Sequence, residues 1–196
     1  MDTRITSLAQ LDLTKVFSYK DYLTWTFKER VELIRGYVRL MSPAPSTRHQ
    51  LISGNLYREI SKQLTKKSCK IFYAPFDVRL KRKIKDEEAL TVVQPDICVV
   101  CDLELLDEKG CNGAPSMIIE ILSNSNSKHD LVTKLELYEE AGVNEYWIVY
   151  PFEKVIDVFL LSSGKYVLKK KYIEDEVMPI ASLPGLLIEM KEIFED

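Results

Sequence analysis

Two carboxylates in this chain of 196 residues occupy positions where a charged side chain is unexpected, within or beside apolar predicted strands. Glu120 is the one charged residue in the apolar run SMIIEIL, residues 116–122, which predicts a strand covered on both faces. Asp96 precedes a second apolar run, ICVVC. A buried carboxylate is costly unless it is paired, hydrogen-bonded or bound to a cation. If the two strands are neighbours, both side chains could share one site, whose oxygen ligands would suit magnesium, manganese or calcium.

Hydrophobic periodicity predicts helix and hairpin in the first third of the chain. Ser18 and Asp21 form an approximate capping box, so we expect a short helix that runs to about Lys28. VELI and YVRLM flank an Arg-Gly pair, which is typical of a β-hairpin with glycine in its turn. A long helix over about residues 47–67 should bury a face formed by Leu51, Leu56, Ile60 and Leu64.

Strands dominate the remainder of the sequence. Alternate residues from Phe72 to Leu80 are apolar, which predicts one strand. The 116–122 strand, a helix from about Lys128 to Ala141 and the strand EYWIVY form a crossover unit, so part of the sheet should be parallel. VIDVFLL and KYVLKKKY predict a second hairpin, and the tail should pack back on the body. The predicted class is α/β, bordering on α+β, with a mixed central sheet flanked by helices.

Composition and charge narrow the function classes. A hydrophobic content of 46% with 29% charged residues is typical of a globular protein. No apolar stretch approaches the roughly 18 residues that span a bilayer, and the first residues lack the apolar segment of a secretory signal. We therefore expect a cytoplasmic protein with no membrane partner. A net charge of −3 and a pI of about 5.6 argue against non-specific coating of DNA, although a local basic patch could still meet nucleic acid.

The four cysteines are Cys69, Cys98, Cys101 and Cys111. Cys98 and Cys101 form a C-x-x-C pattern, but they lie in a predicted strand, where residues three apart point to opposite faces. Their sulfur atoms should therefore not converge on zinc. We interpret the four residues as small core thiols in a reducing compartment.

The carboxylate pattern resembles that of the PD-(D/E)XK nucleases, in which an acid is followed on the next strand by acid-x-lysine. Here it occurs as Pro95-Asp96 and then Glu120-Ile121-Leu122. More specifically, the chain resembles the Uma-two family of restriction-endonuclease-like proteins over about residues 20–170. The segments that carry the resemblance are VELIRGYVRLMSP with His49 just after it, QPDICVV, IIEILSNSNSKHDLVTKLELYEEAGVNEYWIVYP and the final hairpin.

The resemblance implies one restriction-endonuclease-like domain and a metal site. We expect a single domain over residues 1–196, in which an N-terminal helix and hairpin at 18–41 and a C-terminal hairpin and tail at 154–196 flank a nuclease core at about 46–150. Asp96, Glu120 and the carbonyl of Ile121 would bind Mg²⁺ or Mn²⁺.

Leu122 occupies the position where the nuclease pattern has lysine. The resemblance indicates Lys134, on the following helix, as its replacement. Asp130 and Lys134 are four residues apart on one helix face, so the alternative is an ordinary surface ion pair. Glu32 and His49 are further candidates, Glu32 as a metal ligand or water-holding group and His49 as a phosphate contact or proton-transfer group. Their alternatives are a solvent-facing strand charge and a helix cap.

Two hypotheses about function follow. The first is a metal-dependent endonuclease that hydrolyses phosphodiester bonds, with DNA as the expected substrate and a homodimer as the expected assembly by analogy with the fold family. The second is a catalytically decayed nuclease-fold module that binds nucleic acid or a protein partner. Nucleotide cofactors are disfavoured, because the sequence has neither a G-x-G-x-x-G nor a G-x-x-x-x-G-K-[ST] motif.

Overall fold

The structure is a computed structural model that describes residues 4–41, 44–64, 68–80, 88–123 and 128–195. Most of the described elements are short, and two helices, of 18 and 14 residues, are much longer than the others. In chain order the elements are α1 (Tyr19–Tyr22), β1 (Val31–Ile34), β2 (Tyr37–Leu40), α2 (Thr47–Leu64), β3 (Lys70–Tyr73), β4 (Val78–Arg79), β5 (Val92–Val93), β6 (Ile97–Val100), β7 (Leu106–Asp107), β8 (Gly110–Cys111), β9 (Met117–Ile121), α3 (Lys128–Ala141), β10 (Glu145–Tyr150), β11 (Val155–Ser162), β12 (Lys165–Ile173), β13 (Val177–Pro179), β14 (Leu187–Glu189) and α4 (Met190–Phe194).

A mixed six-stranded sheet forms the centre, in the order β12-β11-β10-β9-β6-β3. β9 and β10 are parallel and the other neighbours are antiparallel. The parallel pair is joined through α3, which confirms the predicted crossover unit. The predicted α/β class with a mixed central sheet is therefore confirmed.

A second six-stranded sheet, in the order β2-β1-β5-β4-β8-β7, was not foreseen. Residues 72–80 were predicted to form a single strand, and that prediction is wrong, because the two sheets divide this segment between them. β3 belongs to the central sheet and β4 to the second one, with Pro75 between them. Proline has no N–H to continue a strand ladder, so the chain leaves the first sheet there and enters the second.

The central sheet is buried on both faces, as the apolar β9 sequence predicts. Met117, Ile119 and Ile121 face a core cluster that includes residues of α2, α4 and the C-terminal tail. Ile118 faces the opposite cluster, which includes residues of α3 and of the second sheet. Side chains of even and odd positions in β9 therefore enter different layers, and Glu120 belongs to the α3 side.

Two predicted details of the helices are wrong. α1 ends at Tyr22 instead of about Lys28, because Thr26 donates its backbone N–H to the carbonyl of Ile5 and the chain forms a β-bridge there. The buried face of α2 consists of Ile52, Leu56, Ile60 and Leu64, whereas Leu51 is 43% exposed. Successive helical residues are separated by about 100°, so Leu51 points away from the face that its neighbour Ile52 occupies.

The prediction of four free thiols is also wrong. Cys69 and Cys101 form a disulfide, whereas Cys98 and Cys111 are buried free cysteines. Cys98 and Cys101 do point to different layers of the sheet, as strand alternation predicted. The partner of Cys101 lies 32 residues earlier in the sequence, just before β3, and only the β3–β6 pairing brings the two together.

No helix among the described residues has both the length and the apolar character needed to cross a membrane.

The C-terminal tail is attached to the central sheet through Glu145 at the start of β10. The Glu145 side chain is fully buried and accepts hydrogen bonds from the indole N–H of Trp147 and the backbone N–H groups of Ala181 and Ser182. Three donors satisfy a carboxylate that would otherwise be costly to bury.

We predict that Glu145→Ala lowers the free energy of unfolding by about 3 kcal/mol or more, because it leaves three donors without an acceptor and opens a cavity. Chemical denaturation followed by tryptophan fluorescence measures the loss. Glu108→Ala, which removes an exposed carboxylate, serves as the control and should change the stability little. Equal stabilities of the two variants would contradict the role of Glu145.

Candidate active site

A cavity of about 500 Å³ opens where the two sheets and α3 meet. The carboxylates of Glu32, Asp96 and Glu120 line it together with Lys134 and His49. These five residues come from β1, from the residue that precedes β6, from β9, α3 and α2. All the side chains that the sequence analysis singled out for chemistry therefore meet in one place.

Asp96 and Glu120 are brought together by the antiparallel pairing of β6 and β9, in which Ile97 lies opposite Ile119. The predicted adjacency of the two strands is confirmed. The Oδ2 atom of Asp96 accepts a 2.7 Å hydrogen bond from the backbone N–H of Ile121. This bond fixes the Asp96 carboxylate against the end of β9.

His49 lies in the first turn of α2 and faces the same carboxylate. Its Nε2 is 3.3 Å from Oδ2 of Asp96, and its side chain is only 9% exposed. Burial by itself lowers the pKa of His49, but the hydrogen bond and charge of Asp96 outweigh it, so the pKa is raised above its usual value. The His49 side chain therefore contacts Asp96 and does not act as a helix cap.

Lys134 lies between the other two carboxylates. Its Nζ is 3.0 Å from Oε1 of Glu32 and 2.9 Å from Oε1 of Glu120, and its side chain is 18% exposed. The alternative of a solvent-exposed surface pair therefore does not describe this lysine. Glu32, at 6% exposure, is likewise not a solvent-facing strand charge, and its Oε1 also accepts the backbone N–H of Gln94 at 2.8 Å.

Burial and the neighbouring charges together control the protonation of the site. Burial raises the pKa of Glu120 to about 7, the charges of Asp96 and Glu32 add to the rise, and Lys134 opposes it. Burial would lower the pKa of Lys134, but Glu120 and Glu32 outweigh that effect and raise it, so the lysine stays charged. One ammonium thus compensates the charge of two carboxylates. Binding of a further cation would favour the ionised form of Glu120.

Tyr138 is a site residue that the sequence analysis missed. Its hydroxyl donates a 2.5 Å hydrogen bond to Oε1 of Glu120, and burial raises the pKa of the phenol, which keeps it protonated. The signal was available in the sequence, because Tyr138 follows Lys134 by four residues and so lies on the same helix face. Gln94 was also missed, and no sequence pattern marks its contact with Glu32.

The position of Leu122 explains why the ammonium comes from a helix. Leu122 packs against the apolar cluster on the α3 side of the sheet, the side that Glu120 also faces. A leucine there supplies no charge, and Lys134 reaches the same carboxylate from α3 above the sheet. The strand position is apolar, but the site still has an ammonium beside Glu120.

The donors suit a hard divalent cation, because Asp96, Glu120 and the carbonyl of Ile121 offer only oxygen atoms. One oxygen of each carboxylate already carries the hydrogen bonds described above, and the other has no hydrogen-bond partner among the described residues. However, in the described part of the chain no three His, Cys, Asp or Glu side chains are grouped closely enough to hold a metal by themselves. A bound cation would need the Ile121 carbonyl and water as additional ligands.

We predict that Lys134→Met lowers the free energy of unfolding by about 3–5 kcal/mol, because two buried carboxylates lose their shared cation. The matched control is Lys165→Met, since Lys165 pairs with Glu139 at the protein surface and is 80% exposed. Denaturant titrations of both variants at pH 8 provide the comparison, and the surface variant should change little. Similar losses in both would contradict a buried ion triad.

We predict that Tyr138→Phe lowers the free energy of unfolding by about 1.5–3 kcal/mol, the range for hydrogen bonds to charged groups. The neighbouring Tyr146 is a matched control, because its ring contacts that of Tyr138 and its buried hydroxyl has no partner among the described residues. Tyr146→Phe should therefore be close to neutral in the same denaturation experiment. A cost for Tyr146→Phe as large as that for Tyr138→Phe would contradict the assignment.

Comparison with known proteins identifies the family of the chain. A family model described as "Putative restriction endonuclease" (Uma2) matches residues 19–191. The fold is similar to a crystal structure described as "a putative nuclease belonging to DUF820 from Anabaena variabilis ATCC 29413", with a TM-score of 0.70 and 18% identity over 91% of this chain and 97% of that chain. At this identity the similarity shows the fold. No curated protein sequence matches the chain significantly. Since the family model covers most of the sequence, the chain belongs to the Uma2 family of restriction-endonuclease-like proteins.

Proposed function

We propose that the protein is a Mg²⁺- or Mn²⁺-dependent endonuclease that hydrolyses phosphodiester bonds in DNA. One observation carries the proposal. Asp96 and Glu120, from adjacent strands, meet Lys134 in a single cavity although 38 positions separate the first residue from the last. A buried set of carboxylates beside an ammonium, within a restriction-endonuclease-like fold, is what metal-assisted phosphodiester hydrolysis requires.

The side chains divide into those that would hold the cation and those that would act on the substrate. Asp96, Glu120 and the carbonyl of Ile121 would hold the cation. When bound, the cation supplies Lewis-acid activation of water and neutralises charge on the scissile phosphate. Lys134 would orient the attacking water and stabilise the charge that develops on the phosphate oxygens. Glu32 and His49 would keep Lys134 and Asp96 in place.

A phosphodiester also needs cations close to the carboxylates that would hold the metal. Arg30 and Arg39 both line the cavity, and Arg39 is exposed on β2. These two guanidinium groups form a local positive patch in a chain whose net charge is −3. Such a patch can contact phosphates without coating DNA non-specifically. We extend the proposal to a homodimer, by analogy with the fold family.

The second candidate is a nuclease-fold module that binds nucleic acid or a protein partner without cleaving it. The observation in its favour is that Lys134 already compensates Glu32 and Glu120 and that the described residues form no complete metal cage. In this case metal affinity should be weak and independent of the two carboxylates.

We predict that Mn²⁺ binds the protein saturably in calorimetry and that Asp96→Asn and Glu120→Gln each weaken this binding by at least about tenfold. Asp157→Asn is the control, because Asp157 is a buried carboxylate that pairs with Lys171 and does not line the cavity. The same proteins are then incubated with supercoiled plasmid and with single-stranded DNA, with Mn²⁺ or EDTA. Cleavage should require Mn²⁺ and be lost in the two site variants.

Two results would contradict the endonuclease. Metal binding that is indifferent to both site substitutions would remove the proposed ligands. Weak metal binding that is independent of both carboxylates, together with DNA binding but no cleavage, would favour the binding module.

A further inference from the structure

An exposed aromatic side chain lies at the same edge of the central sheet as the proposed site. Phe152 is 62% exposed and comes two residues after the end of β10. β10 runs parallel to β9 with Val149 opposite Ile121, so the chain beyond Val149 leaves the sheet beside the Ile121 end of β9. Phe152 follows Val149 by three residues, which places it within roughly 10 Å of that end along the strand direction.

Arg48 covers one side of this aromatic ring. Its Cζ is 5.5 Å from the centroid of Phe152, within the range of a cation–π contact. Neither Arg48 nor Phe152 lines the cavity, so the pair lies outside it, with Phe152 at the sheet edge where β9 ends. No carboxylate of the described residues forms an ion pair with Arg48, and its charge is therefore available to an anionic ligand.

The cavity itself limits what can enter. About 500 Å³ is within the range of pockets that enclose one small ligand, so it fits a nucleotide unit of a strand better than an intact duplex. In a duplex the faces of the bases are covered by stacked neighbours and only their edges can be contacted. A free aromatic face beside a guanidinium instead suits an unstacked base, as in proteins that bind single strands.

We propose that Arg48 and Phe152 form a stacking site for an unpaired nucleobase of the strand whose backbone enters the cavity. The preferred substrates are then DNA segments with unpaired nucleotides rather than continuous duplex. The base stacks on Phe152 or on the guanidinium plane of Arg48, and Arg30 and Arg39 contact the adjoining phosphates. This inference rests on the proposed nuclease function and specifies its substrate class.

The test measures affinities for a fluorescently labelled single-stranded oligonucleotide and for the duplex of the same sequence, by anisotropy in Ca²⁺ so that cleavage does not interfere. Phe152→Leu keeps an apolar side chain without a ring, and Arg48→Lys keeps the charge without a planar guanidinium. Each should weaken single-strand binding by about 5- to 150-fold, the range for one stacked base, and change duplex binding much less.

Each control makes the same type of substitution at a residue outside the Arg48–Phe152 pair. Arg58→Lys lies on the same helix, where Arg58 is bound to Asn55 and Glu59. Tyr73→Leu removes another exposed aromatic ring, one that packs on Tyr57 instead of Arg48. Both should bind single strands as the unmodified protein does. In addition, Phe152→Trp should show fluorescence quenching when a single strand binds, because stacking on a base quenches the indole.

The outcomes separate this inference from the function on which it rests. If the unmodified protein cleaves or binds DNA but Phe152→Leu and Arg48→Lys leave single-strand affinity unchanged, or lower single-strand and duplex affinity equally, the stacking site is wrong and the nuclease proposal survives. If the unmodified protein neither binds nor cleaves any DNA form, the proposed function itself fails. A protein that binds duplex more tightly than the single strand also overturns the substrate preference.

Discussion

The contact of the Lys134 ammonium with Glu32 and Glu120 is the constraint on which the rest of the site depends. Each of these charges is mostly buried, and removing the ammonium would leave two carboxylates uncompensated. The three side chains belong to different layers, because β1 is in the second sheet, β9 is in the central sheet and α3 covers β9. The ion triad therefore fixes how the two sheets and the helix meet, and the cavity is the space that remains beside it.

The balance of charge in this cavity indicates its chemistry. Three carboxylates face one ammonium and one imidazole, and burial, together with the charges of Asp96 and Glu32, raises the pKa of Glu120 to about 7. Such a cluster is a receptive environment for a divalent cation, since a positive charge relieves the repulsion. Arg30 and Arg39, which also line the cavity, have the opposite sign and suit a phosphate. The cation and the substrate would thus bind to different parts of one site, with Lys134 between them.

Rigid elements position the reactive groups. Asp96 is held by the backbone of Ile121, so its distance from Glu120 is set by the pairing of β6 and β9 more than by side-chain rotamers. Tyr138 and Lys134 hold Glu120 from one helix face. The replacement of a strand lysine by Leu122 moves the source of the ammonium to α3, but it leaves the charge beside the same carboxylate.

The sequence by itself determined the parts that depend on local pattern. A lone glutamate in an apolar strand, a Pro-Asp before another strand, and a helix between two strands were enough to predict the crossover unit and to single out Asp96 and Glu120. Periodicity could do this because a buried strand and an amphipathic helix each impose a spacing on their own residues. Lys134 was indicated only by the family resemblance. The role of each side chain in catalysis stays a prediction.

Only the tertiary structure decided which distant groups meet. The second sheet, the Cys69–Cys101 disulfide and the Gln94 contact with Glu32 join segments far apart in sequence, and no local spacing encodes such pairings. Alternation over residues 72–80 even predicted one strand where proline divides the chain between two sheets. The same reason applies to Phe152 and Arg48, which are 104 positions apart in the sequence and come into contact only in the folded chain.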